Sequence, residues 1–327
     1  MLYDWDQIPA AAEPGACNVR LADSSHPLDF RIGRDSKARY VFQLDAAVGS
    51  ELSSALPRLV GMDCELDSIQ NNQCRFSLTL HHQTDFLNFR LMCTGLMLST
   101  EHLEATQSAA GMLLVLDDLH RWQEMLRRRR DKLLTRSEII GLVGEMLFLR
   151  DVLEPPLGVL ASLRCWNGPD GHEQDFVFGG TIFEIKTQIV TSDRRIRISS
   201  EDQLDAVQGR IMLCNQGLAP LTVNDPTART LNSLVTEISL LARNAGEKAC
   251  DLLDIILLRA SYEPRDEYDE EAWLLIDRAL YEVRDDFPRI ERGDLRPGVE
   301  NVTYSIRVSD CQRYAVDLEK AISALMK

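Results

Sequence analysis

The sequence predicts an α/β (α+β) chain in two parts, a β-rich first part followed by a mixed α/β second part. Three observations predict it. Short runs of strand-forming residues between polar turns dominate the first hundred residues. Near Leu103 the hydrophobic period changes from two to about 3.6. Beyond residue 135, helical and strand-like segments alternate. At 327 residues, 45% hydrophobic and 27% charged, the chain is long enough to bury a large core without disulfide or metal support. The parts are taken as residues 1–118 and 119–327.

In the first part, Tyr40–Leu44, Cys74–Leu80 and Phe89–Cys93 read as strands, with Asn71-Asn72-Gln73 as a turn. From Leu103 to Lys132, Leu113, Leu114, Leu116, Leu119, Trp122 and Leu126 form a helical apolar stripe. A second helix starts at Thr135, whose spacing to Glu138 makes a capping box, and runs to about Leu153 before Pro155-Pro156.

Strands are expected at Leu160–Trp166, Gln174–Phe178, Ile182–Gln188, Arg195–Ser199 and Ile211–Asn215. Gly179-Gly180 marks the second and third of these as a hairpin. A helix over Thr227–Arg243, an apolar run at Leu252–Leu258, and late strands at Trp273–Ile276 and Tyr304–Val308 complete the pattern.

The net charge of −15 argues against a protein that coats nucleic acid through bulk electrostatics, although a local basic groove is compatible with it. The eight cysteines include no C-x-x-C pair and read as reduced core thiols. No leader-like or membrane-spanning apolar run is present, so a cytoplasmic location is expected. Walker A, dinucleotide-binding and G-x-S-x-G patterns are absent. His81-His82, His102 and His120 show no ligand spacing, and His172, close enough to the Asp175 strand to approach the site, reads as a loop residue.

The chemistry concentrates in the hairpin Asp175-Phe-Val-Phe-Gly-Gly-Thr-Ile-Phe-Glu-Ile-Lys186. Side chains alternate along a strand, so Glu184 and Lys186 share a face about 6.6 Å apart along the strand, while Phe183 and Ile185 face a core. The short turn brings the Asp175 face beside them. Two carboxylates and an ammonium suit phosphodiester hydrolysis. Mg²⁺ is typically held by one or two carboxylates with water and phosphate, it activates water, and a lysine stabilises developing charge.

Glu145 lies among Gly141, Leu142, Phe148 and Leu149 on its helix, with no partner at the neighbouring turns. Such a carboxylate needs compensation. Gly141 and Gly144 imply close packing of that helix on the sheet.

This order resembles the PD-(D/E)XK nuclease superfamily. More narrowly, Gly141–Leu149, Trp166-Asn-Gly-Pro, Asp175-Phe, Glu184-Ile-Lys-Thr187 and Ile198–Leu204 resemble an uncharacterised family of PD-(D/E)XK-type proteins found beside bacterial restriction-modification and phage-defence genes. The close resemblance covers about residues 135–205. It implies a restriction-endonuclease-like core, a mixed sheet flanked by helices. It also implies metal ligation by Asp175 and Glu184 with support from Glu145, and a water-positioning Lys186. Mg²⁺ is the expected metal, with Mn²⁺ able to substitute. Gln203, with Ser199 and Ser200, is expected at substrate phosphate. Gln174 replaces the proline of the family pattern.

Basic residues flank these motifs. Arg127 and Arg128 belong to the run Arg121–Arg136, which lines a groove or forms a solvated helix end. Arg195 and Arg197 give one strand a basic face, again a phosphate contact or a solvated face.

The leading expectation is a Mg²⁺-dependent DNA endonuclease of a restriction or phage-defence system, working with other defence proteins and as a homodimer if both strands are cut. Two other readings stay open. One is a non-catalytic binding or assembly module using the acidic Glu263–Asp294 region and the β-rich part as partner surfaces. The other is an RNA-directed nuclease.

Overall fold

The computed structural model describes residues 5–47, 56–70, 72–128, 133–168, 174–190, 194–205, 209–284 and 286–326. The chain forms two compact units, Met1–Lys132 and Leu133–Lys327. The division falls beyond residue 118 because one helix, Ser108–Arg128, runs uninterrupted through that position.

In the first unit, β1 (Cys17–Leu21), β2 (Phe30–Asp35), β3 (Tyr40–Ala47), β4 (Met62–Ile69) and β5 (Gln73–Leu80) form an antiparallel sheet in the order β1-β2-β3-β5-β4. Alternation explains its core face. Tyr40, Phe42, Leu44 and Ala46 of β3 and Cys74, Phe76, Leu78 and Leu80 of β5 are all buried. The helices are α1 (Phe86–Thr100) and α2 (Ser108–Arg128), and α2 packs on β3.

Phe89–Cys93, read above as a strand, is therefore part of α1. Its apolar run continues to Leu98, and a buried apolar run has no periodicity that separates helix from strand, so length decides. Asn72 adopts φ +56° at the turn, Asn71 lies outside the described residues, and Gln73 already belongs to β5.

In the second unit, Thr135 caps α3 (Arg136–Phe148). Its hydroxyl accepts from the Glu138 N–H at 3.3 Å, and the Glu138 carboxylate accepts from the Thr135 N–H at 2.7 Å, the reciprocal box expected. A π-helical turn at Leu149–Leu153 leads to α4 (Glu154–Leu157) and α5 (Val159–Arg164). Leu160–Trp166 is thus largely helical. Gly158 at φ +75° restarts the helix, and its carbonyl accepts from the Ser162 N–H and hydroxyl.

Then come β6 (Phe176–Phe178), β7 (Thr181–Ile189), β8 (Arg195–Ile198) and β9 (Arg210–Leu221). The helices α6 (Leu231–Ala245) and α7 (Glu247–Arg259) precede β10 (Ala272–Val283) and β11 (Tyr304–Arg307). The chain closes with α8 (Val308–Cys311), β12 (Ala315–Val316) and α9 (Leu318–Leu325).

The main sheet runs β12-β10-β9-β7-β6 and is mixed, since β7 and β9 are parallel and the other pairs antiparallel. One face packs Phe183, Ile185, Met212 and Cys214 against α3, α5, α6 and α7. The opposite face packs Ile182, Ile211, Leu213 and Tyr281 beneath a two-stranded β8–β11 ribbon, through Ile196, Ile198 and Ile306. The helices and the ribbon thus enclose β7 from both sides. All eight cysteines are free, four of them buried. Among the described residues no helix is long and apolar enough to cross a membrane.

Candidate active site

The β6–β7 hairpin turns at Gly179 (φ +56°) and Gly180 (φ +73°), the left-handed pair that a tight two-residue hairpin needs. Its register sets Phe176 opposite Phe183, which carries Asp175, just before β6, towards Glu184. Asp175 Oδ2 accepts the Ile185 N–H at 2.6 Å. The Asp175 carbonyl accepts the N–H groups of Asn167 and Gly168 at 2.8 and 3.0 Å. The Trp166-Asn-Gly segment is thereby laid across the acid, with the Trp166 ring stacked on Phe176.

Glu184 lies on the ribbon side of β7 and is fully buried, with Lys186 Nζ 2.7 Å from its Oε1. Lys186 Nζ also donates to Gln203 Oε1 at 2.9 Å, and that same oxygen accepts the Ser199 N–H at 2.9 Å. The lysine is therefore held between a carboxylate of its own strand and an amide from the segment after β8.

Glu145 approaches from the helical side. Its neighbour Gly144 touches β7 so closely that a Cβ there would stand 1.7 Å from Thr187 Oγ1. Gly141, expected to pack likewise, has open space where a Cβ would project. Glu145 Oε2 accepts the Trp166 Nε1–H at 2.6 Å. Gly168 covers the two acids: a Cβ there would lie 2.5 Å from Glu145 Oε2 and 3.1 Å from Asp175 Oδ1.

The electrostatics follow from this enclosure. Burial, reinforced by the negative charge of Asp175, pushes Glu145 well above the usual carboxylate range, and the Trp166 hydrogen bond only partly opposes it. Burial likewise raises Asp175 to about 6, against the pull of the Ile185 N–H and the Lys186 charge. Carboxylates whose charge is disfavoured by burial and mutual repulsion are those a cation relieves most.

Among the described residues no group of three or more His, Cys, Asp or Glu side chains could hold a metal ion. The expected trio of Asp175, Glu184 and Glu145 is therefore not a ready three-ligand cage. Glu145 is engaged by Trp166, and Glu184 by Lys186. A donor set of Asp175 and Glu184 still fits a hard divalent cation, because Mg²⁺ commonly takes one or two carboxylates and completes its shell with water and phosphate.

The remaining sequence-predicted residues divide. Gln203 and Ser199 join the site through Lys186. Ser200 precedes a 3₁₀ turn at Glu201–Leu204 and makes no side-chain cap. Arg195 and Arg197 are exposed on β8, whereas Arg194 pairs with Asp277. Arg127 and Arg128 end α2 in the first unit, and their side chains lie outside the described residues, as does His172.

Sequence reasoning gave no role to Trp166, Gly168, Gln216 or Arg278. Gln216 Nε2 donates to the Gly144 carbonyl at 2.8 Å. Arg278 supports it from β10 through a 2.7 Å bond to Gln216 Oε1 and a 3.1 Å bond to the Leu147 carbonyl. Only the Trp166-Asn-Gly-Pro motif carried a sequence signal for any of these. Gln216 and Arg278 are polar residues in apolar strands, a pattern with many meanings.

A family model described as "Putative PD-(D/E)XK family member, (DUF4420)" matches residues 2–309, and the chain belongs to that family. The match covers both units, far beyond residues 135–205. No curated protein and no solved structure matches the chain.

Proposed function

We propose that this PD-(D/E)XK family member hydrolyses phosphodiester bonds of DNA with a divalent cation, Mg²⁺ or in substitution Mn²⁺. In this reading it serves as the endonuclease of a restriction or phage-defence system in the cytoplasm. The supporting observation is Lys186, held 2.7 Å from Glu184 and 2.9 Å from Gln203, beside the Asp175 strand.

Asp175 and Glu184 are the carboxylates that would hold the cation. The cation, when bound, supplies Lewis acidity at the phosphoryl oxygen and makes water a stronger nucleophile. Lys186 places a fixed positive charge where negative charge develops on the phosphoryl group, and Gln203 keeps its ammonium aimed. Glu145, whose carboxyl holds a proton more readily than an ordinary glutamate, supports Asp175 from the helical side. Ser199, Ser200, Arg195 and Arg197 are assigned to phosphate-backbone contacts in this reading, as are Arg127 and Arg128 of the first unit. The first unit serves recognition or assembly with other defence proteins. Cutting both strands would require a homodimer.

The internal engagement of the carboxylates favours one rival, a binding module that retains the fold without hydrolysis. The experiment incubates supercoiled plasmid, linear duplex and matched RNA with the purified chain in Mg²⁺, Mn²⁺ or EDTA, alongside Lys186→Ala and Asp175→Ala. Metal-dependent nicking of DNA that both substitutions abolish is expected. Cleavage in EDTA, or cleavage that survives both substitutions, refutes the assignment. Nucleic-acid binding without cleavage would favour the module, and preference for RNA would change the substrate.

A further inference from the structure

The β8–β11 ribbon has two chemically distinct faces. Its inner face is apolar, with Ile196, Ile198 and Ile306 buried. On its outer face, Arg195, Arg197, Ser305 and Arg307 are exposed. The register places Ser305 opposite Arg197 and Arg307 directly opposite Arg195. Like charges facing each other across a strand pair are destabilising by themselves. Among the described residues, Arg195 already has a partner, whereas neither Arg197 nor Arg307 forms an ion pair. No carboxylate belongs to either strand. In a chain of net charge −15, this face is a local concentration of positive charge.

The ribbon is fastened to the candidate active site. The buried Glu201 carboxylate accepts the Asn301 and Val302 N–H groups at 3.2 and 2.7 Å, fixing the approach to β11. The Thr303 hydroxyl donates to the Ser199 carbonyl at 3.1 Å. Ser199 is bonded in turn to Gln203, the amide that holds Lys186. Counting along the strand from Ser199, Arg197 stands about 7 Å away and the Arg195–Arg307 pair about 13 Å away.

We propose that this ribbon is a phosphate-gripping arm for duplex DNA, with Arg307 and Ser305 of β11 acting beside Arg195 and Arg197 of β8. The proposal rests on the nucleic-acid reading of the site. Guanidinium and hydroxyl donors bind phosphate oxygens and position a substrate without reading bases. A duplex is favoured over a single strand because the outer face presents no aromatic ring on which unpaired bases could stack, the usual device of single-strand binders. Tyr304, the aromatic residue of β11, packs with the inner-face cluster.

The test measures binding of the full chain to a labelled DNA duplex and to its single strand by fluorescence anisotropy, in EDTA and over a range of NaCl concentrations. Wild type is compared with Arg197→Ala, Arg307→Ala, the double variant and Arg307→Lys. Each alanine should weaken duplex binding severalfold and make the log K against log salt slope shallower by about one for each phosphate no longer gripped. The lysine variant should keep most of the slope. All these residues are exposed, so melting temperatures should not fall below the wild-type value.

No duplex binding by the wild type, an unchanged slope in the double variant, or equal losses for duplex and single strand would each overturn the arm. EDTA separates the two proposals. Duplex binding through the ribbon without cleavage in Mg²⁺ removes the hydrolytic reading and leaves the arm. Wild-type cleavage that persists unaltered in the double variant removes the arm alone.

Discussion

Replacing Gly144 by alanine tests how α3 is seated against β7. In an exposed helix this change would stabilise by about 1 kcal/mol. Here the new methyl would lie 1.7 Å from Thr187 Oγ1 and 2.6 Å from Thr187 Cβ. Rotating the threonine moves its oxygen but leaves Cβ in place, so helix and strand must part by about 1 Å to reach a normal contact of about 3.5–4 Å. Overpacking of this kind costs about 1–3 kcal/mol. The parting also stretches the buried 2.8 Å bond from Gln216 to the Gly144 carbonyl, and a lost partner there costs about 1–3 kcal/mol more. Set against the helix-propensity gain, the net destabilisation is about 1–5 kcal/mol. For a unit of this size that lowers the melting temperature by about 2–20 °C. Thermal and urea melts would read it. A Gly144→Ala/Thr187→Gly double variant should recover part of the loss, since the glycine removes the clashing Cβ. A single variant as stable as wild type, or more so, would mean that propensity dominates and the close approach is not real.

Two further outcomes follow from the enclosed acids. Trp166→Phe keeps a ring against Phe176 but removes the 2.6 Å donor to Glu145. It should cost about 1–3 kcal/mol in a melt, and an unchanged melt would refute the bond. Asp175→Asn keeps an oxygen for the Ile185 N–H without the charge. Burial raises Asp175 to about 6, against about 3.9 in an unfolded chain. The folded state therefore binds this proton more tightly, and ionisation of Asp175 destabilises the fold. That penalty is absent below about pH 4, grows between about pH 4 and 6, and is constant above, at no more than about 3 kcal/mol. In EDTA the asparagine variant should thus melt above wild type at neutral pH, with the gap closing towards pH 4. A gap independent of pH would refute the burial argument.

The most legible parts of the sequence were those where local chemistry permits few alternatives. Gly179-Gly180 is one, because a tight hairpin needs two left-handed residues. Thr135 with Glu138 is another. Glu145 stood out by lacking a helical partner, but its actual partner, Trp166, is 21 positions away, and no helical spacing points to it. The errors share a cause. Phe89–Cys93 and Leu160–Trp166 are apolar runs that suit either element, and they were settled by the length of the surrounding run and by Gly158. β4 was overlooked although Met62, Cys64 and Leu66 alternate with Asp63, Glu65 and Asp67. The β8–β11 pairing joins residues about a hundred positions apart, and only long-range packing of Ile196, Ile198 and Ile306 defines it.

The net charge of −15 bears on the choice between a nuclease and an acidic docking module, and the ion pairs show why it misleads as a global number. The Glu263–Asp294 region is strongly acidic in sequence, which made it a candidate partner surface. In the fold, Glu271 pairs with Arg136, Asp277 with Arg194, and Glu282 with Arg210. These acids join the region to α3, to the approach to β8 and to β9, so part of its charge is neutralised within the unit. Charges elsewhere on the surface act on a ligand only within a screening length of about 8 Å at physiological salt. A phosphate approaching the ribbon is therefore governed mainly by Arg197 and Arg307, with the distant acids largely screened. Lowering the salt should bring those distant acids into range and make duplex association slower than the arginines alone would predict.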